Sequence, residues 1–338
     1  MPSSSQPRFL IAGKLRRDYI LLPDGRSYLD VPGGSLLYAA AGLRIWENDI
    51  GLLGRVGNDY PREWIDQAAK HDLNIEGIHW LSQPVDLRSF TAYAEDGTAQ
   101  INDPVAHFAR FRLPYPKELL GLQILPPQLD NRTRLSTLAI RQNDIPSDYL
   151  DASAAHICPL DYLSHNLLPS TFRQGQIATL TLDPSPGYMN PTFWDDIPSI
   201  VTGLTAFLTN EEKLRNLFHG RTSDVWEMAE TIASYGCELV VIKRGELGQL
   251  LYDRFNRSKW IIPAYPVTRL DPTGAGDAFC GGFLAGYRRT YDPLQAVLYG
   301  NVSAAFVVES SGPFYPMEAL PRLAEARLQV IQDMVRKA

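Results

Sequence analysis

The chain has 338 residues, of which 45% are hydrophobic and 21% charged, with a formal net charge of −6. That length holds one large α/β domain or two smaller ones, and the acidic balance excludes the concentrated basic face of a nucleic-acid binder. Cys158, Cys237 and Cys280 are too few and too scattered for a disulfide framework or a zinc cluster.

Each cysteine stands among apolar or small residues, as a buried free thiol in a reducing compartment does. Residues 1–6 are polar, with no basic region ahead of an apolar run, so no signal peptide is read there. No stretch reaches the roughly 20 apolar residues of a membrane-spanning helix. The expected setting is the cytoplasm, with neither a membrane nor a nucleic acid as partner.

In chain order, Phe9 to Gly13 is a short apolar run ending at glycine and reads as a buried strand. Asp18 to Leu22 and Ser27 to Val31 flank a Pro-Asp-Gly turn and form a hairpin. Gly33-Gly34 leads into an Ala- and Leu-rich helix from Leu36 to Trp46. Ile50 to Val56 is the next strand, and a helix follows from Pro61 to His71, with proline in its first turn. Ser89 to Tyr93 and Thr98 to Ile101 make a second extended pair around Glu95-Asp96-Gly97. Together with the first hairpin they would form a small sheet apart from the main body. Residues 104–150 hold several prolines and no sustained period, which predicts irregular structure with short helices.

Beyond that stretch, strands are read at Ile177 to Leu182, Ala206 to Leu208 and Leu239 to Ile242, a helix from Asp224 to Tyr235, and an amphipathic helix from Pro316 to Lys337. Strands alternating with helices predict a mostly parallel sheet covered on both faces. Such sheets bind ligands at the carboxyl ends of their strands.

The strongest chemical signal is Asp271-Pro-Thr-Gly-Ala-Gly-Asp-Ala-Phe279, followed by the small-residue run Cys280 to Gly286. Gly274 and Gly276 permit restricted backbone conformations and close approach to a ligand. A glycine turn opening a helix aims free N–H groups and the positive end of the helix dipole at one point, which is an anion site. It suits the charge on a phosphoryl group in transfer. Asp277 falls in the first helical turn. Alone, such a carboxylate is a capping device, and a Gly-Ala-Gly loop alone is a tight turn; the signal lies in their combination.

This segment resembles the ribokinase (PfkB) family of carbohydrate and nucleoside kinases, whose signature Asp-x-Thr-Gly-Ala-Gly-Asp-x-Phe is matched in full by Asp271 to Phe279. The resemblance continues along the chain. Asp18 matches the acid after the first strand, Gly33-Gly34 the di-glycine ahead of a helix, and Gly54 to Asp59 the Gly-x-Val-Gly-x-Asp element. Asp183 matches the Asp-Pro segment, Asn210 the opening of an Asn-x-x-Glu motif, and Gly245 and Gly248 a Gly-x-x-Gly loop. Asn301 falls where that family often lines the adenine pocket.

The resemblance implies an α/β fold, a ribokinase-like three-layer sandwich with a mostly parallel central sheet, helices on both faces and a small β-sheet lid. One kinase domain would span residues 1–338, with lid segments at about 14–32 and 85–103. It implies an ATP-dependent phosphotransferase acting on a hydroxyl of a sugar or sugar-like small molecule. Asp277 would be the general base, and the N–H groups of Gly274, Ala275 and Gly276 would hold the transferring phosphoryl. Magnesium would bridge the nucleotide phosphates, and Asp271 with the backbone of Thr273 would hold potassium. Asp18, Gly33 and Gly34 would bind substrate hydroxyls, while Asn210, Lys243, Gly245, Gly248 and Asn301 would surround the nucleotide. Lid closure would exclude water, and the exposed small sheet invites pairing with a second copy of the chain.

Three positions depart from the pattern. Tyr38 stands where an Asn is common, either as a wall aromatic or as a stacking surface for substrate. Lys213 stands where the magnesium-organising Glu is expected; Glu211 or Glu212 would take that role or serve as solvated helix-start charges, with Lys213 contacting phosphate. Lys243, followed by Arg244, would neutralise phosphate or face solvent. Arg16, Arg17 and Arg88 fall in or beside the lid, Arg88 where the family often places a substrate or phosphate contact. If they converge, they suit a phosphate or carboxylate on the substrate; dispersed, they serve solubility. His107, His156 and His165 read as structural. A nucleoside kinase, with Tyr38 beneath a base, and a non-catalytic relative are the alternative readings.

Overall fold

Short runs such as Phe9–Ala12, Ala154–Ile157 and Thr179–Leu182, apolar or small but for His156, are buried along their whole length, as central parallel strands must be. The structure, a computed structural model, describes residues 7–124 and 128–337. Phe9–Ala12 lies parallel between Ile50–Val56 and Ala154–Ile157, and Thr179–Leu182, Ala206–Asn210 and Leu239–Lys243 extend the sheet in the same sense. There the direction reverses. Gln249–Asp253 and Ser258–Ile262 form an antiparallel hairpin, and Arg336–Lys337 pairs with its outer strand.

Side chains alternate between the two faces of this sheet. Phe9 and Ile11, like Leu239 and Val241, join the core beneath the helices Ser35–Arg44, Ala275–Thr290 and Pro293–Val308. Leu10 and Ala12, like Val240 and Ile242, join the core beneath Tyr162–Phe172, Glu211–Leu217 and Val225–Ser234. The result is the expected three-layer sandwich. The helix Ala275–Thr290 is held tightly: a Cβ at Gly281 would lie 1.9 Å from the Ala39 carbonyl oxygen, so this helix and Ser35–Arg44 meet backbone to backbone.

The small sheet has the strand order Ser27–Gly33, Arg16–Leu21, Arg88–Tyr93, Ala99–Gln100. Its own apolar cluster of Tyr19, Leu21, Phe90, Ala92, Phe108 and Leu119 lies beneath the short helix Pro104–Arg110. The described residues of 104–150 carry short helical turns, as expected. The C-terminal expectation needs correction. A 3₁₀ turn at Tyr315–Glu318 precedes the helix Pro321–Gln332, and the chain then ends as an edge strand rather than continuing as helix.

Candidate active site

The helix Ala275–Thr290 begins where the parallel strands end, and its N-cap is Gly274 with φ 77°. A Cβ there would fall 2.0 Å from the Tyr38 ring, so only glycine lets the loop lie against this aromatic. Tyr38 is therefore a wall, 1% exposed, and its hydroxyl has no partner among the described residues. The Ala275 N–H turns back onto the Pro272 carbonyl at 3.2 Å, which removes it from the expected anion hole. The Gly276 and Asp277 amides, at the second and third helical positions, lack an intrahelical acceptor and no other acceptor is found for them among the described residues. The Asp277 amide had not been anticipated.

Two clefts meet at this loop. One, of about 240 Å³, is lined by Lys14, Arg16, Asp18, Tyr38, Ser89 and Tyr93. The other, of about 390 Å³, is lined by Asp183, Asn210, Lys213, Lys243, Gly245 and Gly276. Gly274, Asp277 and Pro159 belong to both. Part of Asp277 remains accessible, yet burial of its carboxyl, followed by the nearby Asp183 charge, pushes its pKa up to about 6. Asp18 also rises to about 6, chiefly through burial, against the opposing pull of Arg16 and the Gly34 N–H. Gly33 makes that arrangement possible: a Cβ on it would overlap the Asp18 carboxylate at 1.7 Å.

In the second cleft the two lysines converge on one acid. Lys213 Nζ donates to Asp183 Oδ1 at 2.7 Å and to the Pro184 carbonyl at 2.8 Å. Lys243 Nζ donates to Asp183 Oδ2 at 2.6 Å and to the Gly276 carbonyl at 3.1 Å. Burial alone would raise the Asp183 pKa, but the two ammonium groups overcome it and hold the carboxyl at about 2. Lys243 is thus not solvent-facing. Asn210 caps the next helix, its Oδ1 accepting from the Lys213 N–H at 2.8 Å.

Several expected residues lie elsewhere. Arg88 shares strand parity with Phe90 and Ala92, and its guanidinium pairs with Asp86 and donates to the Glu118 and Leu120 carbonyls, outside the Asp277 cleft. Asn301 lines neither cleft. It is 3% exposed, accepts from the Tyr265 N–H, and donates to Gln249 and the Pro263 carbonyl, so its amide is a structural clamp. Gly248 serves the tight turn into the hairpin rather than the cleft. Glu212 is exposed, while Glu211 pairs with Arg215 and Arg244. The Asp271 carboxylate accepts from the Thr273 N–H and the Ser311 hydroxyl. Among the described residues no group of three or more His, Cys, Asp or Glu is arranged to hold a metal ion. His156 and His165 are buried, bonded to Thr181 and Tyr188, and held neutral by burial, as a structural role requires.

The small sheet packs against this site. The Tyr93 hydroxyl lies 2.9 Å from Thr273 Oγ1. Arg269 donates to the Glu95 carbonyl in a turn of the small sheet at 3.0 Å and pairs with Glu246 in the turn Gly245–Leu247. Lys14, which sequence reasoning missed, lines the cleft immediately after Gly13, at the carboxyl end of the first strand. That position itself was a signal.

A family profile described as pfkB family carbohydrate kinase matches residues 147–320. A cytidine kinase from Thermococcus kodakarensis is 28% identical over 90% of this chain and 96% of its own length. A 5-dehydro-2-deoxygluconokinase from Clostridium perfringens is 31% identical over 94% of this chain and 90% of its own length. Among solved structures, an E. coli protein in complex with ATP and Mg2+ matches with a TM-score of 0.70 at 17% identity, covering 96% of this chain and 99% of that one. Ribokinase from Thermotoga maritima matches with a TM-score of 0.65 at 19% identity, covering 95% and 99%. The structural likenesses establish the ribokinase-like fold. The profile covers more than half of the sequence and the deoxygluconokinase is matched almost end to end, so the signature loop stands within a relationship that runs the length of the molecule: this chain belongs to the PfkB family of carbohydrate kinases.

Proposed function

We propose that the chain transfers a phosphoryl group from ATP to a hydroxyl of a sugar or sugar-like small molecule, with Asp277 as general base. One observation carries this reading: Asp277 and Gly274 form the wall common to two clefts, one suited to hydroxyls and the other to phosphates. A base must reach the acceptor proton while anion-binding groups face the phosphoryl, and only a shared wall provides both.

Asp18 and the backbone of Gly33-Gly34 orient the acceptor, and the Asp277 carboxylate takes the proton as the acceptor oxygen attacks. The N–H groups of Gly274, Gly276 and Asp277 face the transferring group, with the helix dipole behind them. Lys213 and Lys243 flank the same cleft and supply positive charge for a polyphosphate. Asn210 and Gly245 complete its wall. ATP, when bound there, supplies the phosphoryl group and the ADP leaving group.

Magnesium has no ready protein ligands: Asp183 is held by two ammonium groups and Glu212 stands outside the cleft. We therefore assign it no residue and no step; the kinship implies that it would arrive on the nucleotide phosphates. A potassium ion at Asp271 and the Thr273 backbone would share a carboxylate that already accepts two hydrogen bonds. The buried free thiols suit a cytoplasmic setting, and no described helix is long and apolar enough to cross a membrane.

The likeness to the cytidine kinase favours a second reading, with a nucleoside as acceptor. A coupled ADP-release assay across sugars, sugar acids and nucleosides separates the two. Asp277→Asn should lower turnover by about three orders of magnitude with nucleotide affinity preserved by calorimetry; near-normal turnover would end the assignment.

A further inference from the structure

The cations around the acceptor cleft divide into engaged and unengaged. Arg17 is bidentate on Asp30 at 2.8 and 2.7 Å, and Arg88 is held by Asp86. Two cations on the cleft wall lack a carboxylate partner. Arg16 donates to the neutral Ser89 hydroxyl at 3.2 Å, and the Lys14 ammonium has no ion-pair partner within 4.0 Å among the described residues. Burial, followed by the Arg16 charge, lowers the Lys14 pKa; Asp161 and Asp130 oppose this only from a distance. The carboxylate of Asp161 is already bonded to Ser136 and Ser164, and that of Asp130 to the Tyr162 N–H.

Arg16 is exposed and its charge also acts on Asp18 and Asp277, whereas the Lys14 ammonium is desolvated and repelled by Arg16, an arrangement that an incoming anion relieves. Lys14, Arg16, Ser89 and Thr91 line both this cleft and a second recess of about 560 Å³, which also takes in the paired Asp86 and Arg88, so the two cations stand where these spaces adjoin.

We infer that the acceptor carries its own anionic group, a carboxylate or a phosphate ester, seated by Lys14 and Arg16 while its reacting hydroxyl faces Asp277. This rests on the acceptor role given to the Asp277 cleft. Asp18 and Asp277 take hydroxyls and the two cations take the anion. A sugar acid or sugar phosphate satisfies both sets, whereas a neutral polyol or a nucleoside satisfies only the first.

The test is calorimetry on the whole protein with a non-hydrolysable ATP analogue present, using D-gluconate, D-glucose 6-phosphate, D-sorbitol and cytidine as probes. One of the two anions should bind at least tenfold more tightly than sorbitol and cytidine, and the tighter of the pair identifies the group. Lys14→Gln should reduce that preference about tenfold and Arg16→Gln several-fold, the loss expected for a charge-assisted hydrogen bond. Arg16 is exposed, so its variant reports even if the Lys14 variant folds poorly. Equal binding of anionic and neutral probes, or a preference that survives both substitutions, would overturn the inference. Binding needs no turnover. A charge preference without ADP release would count against the kinase mechanism alone, and ADP release on neutral sugars without a charge preference would count against the anion subsite alone.

Discussion

The clefts on either side of Asp277 treat their charges in opposite ways. On the phosphate side, Asp183 binds both Lys213 and Lys243, Lys243 reaches the Gly276 carbonyl, and Glu211 joins Arg215 to Arg244. On the acceptor side, Lys14 has no counter-ion and the Tyr38 hydroxyl no partner among the described residues. A network that closes on itself is preorganised, and in the proposed reaction it would meet the same phosphate whatever the acceptor. A wall with open valences is completed only by its ligand, so the nature of that ligand is recorded in what the wall lacks.

The comparison breaks most sharply at Lys243. Lys243→Met would leave Asp183 buried beside one ammonium rather than two, and removing one partner of a buried ion pair is costly. We expect kcat/KM for ATP to fall about a hundredfold (~3 kcal/mol), together with a lower melting temperature. Initial rates at varied ATP check this; an unchanged kcat/KM would show that the closed network does not serve phosphate.

A smaller effect comes from pH. Asp277 must be ionised to accept a proton, and its pKa is about 6. Turnover should therefore fall about tenfold per unit below pH 6 and level off above it, as a kcat profile between pH 4.5 and 8 would show. Stability should move the other way. Asp18 and Asp277 bind protons more readily in the folded chain than at their ordinary 3.8. Their burial penalty is absent below about pH 4 and grows until about pH 6, so unfolding free energy decreases as pH rises through that window. Asp183, held at about 2, acts in reverse: its contribution is present above 3.8 and is lost as pH falls towards 2.

The smallest effect sharpens the acceptor side. Tyr38→Phe removes a hydroxyl that lacks a hydrogen-bond partner in the described structure, so thermal unfolding should show stability unchanged or raised by up to about 1 kcal/mol. A loss larger than that would reveal a partner for the hydroxyl and close the contrast between the clefts.

The legible parts of this molecule were those written in contiguous residues. The signature loop sits on its helix N-terminus as read, and both extended pairs of the small sheet form around their Pro-Asp-Gly and Glu-Asp-Gly turns because such turns are encoded locally. The strand Ala154–Ile157 was missed because Ala-Ala-His-Ile has no apolar period of its own and is buried only by its neighbours. The clamp made by Asn301 was not legible for a related reason: its partners Gln249 and Pro263 lie far away in sequence. Nothing local announces that Lys213 and Lys243 meet on Asp183, 30 and 60 residues before them. Arg88 could have been read correctly. Strand alternation puts it with Phe90 and Ala92, away from the face of Ser89, Thr91 and Tyr93 that lines the Asp277 cleft.

Arg269 holds a turn of the small sheet through Glu95 and the turn Gly245–Leu247 through Glu246 with one guanidinium. A hinge pin of this kind makes two doors answer to one bolt. The turn of the small sheet and the turn Gly245–Leu247 therefore share one anchor, and a displacement of either is carried to the other.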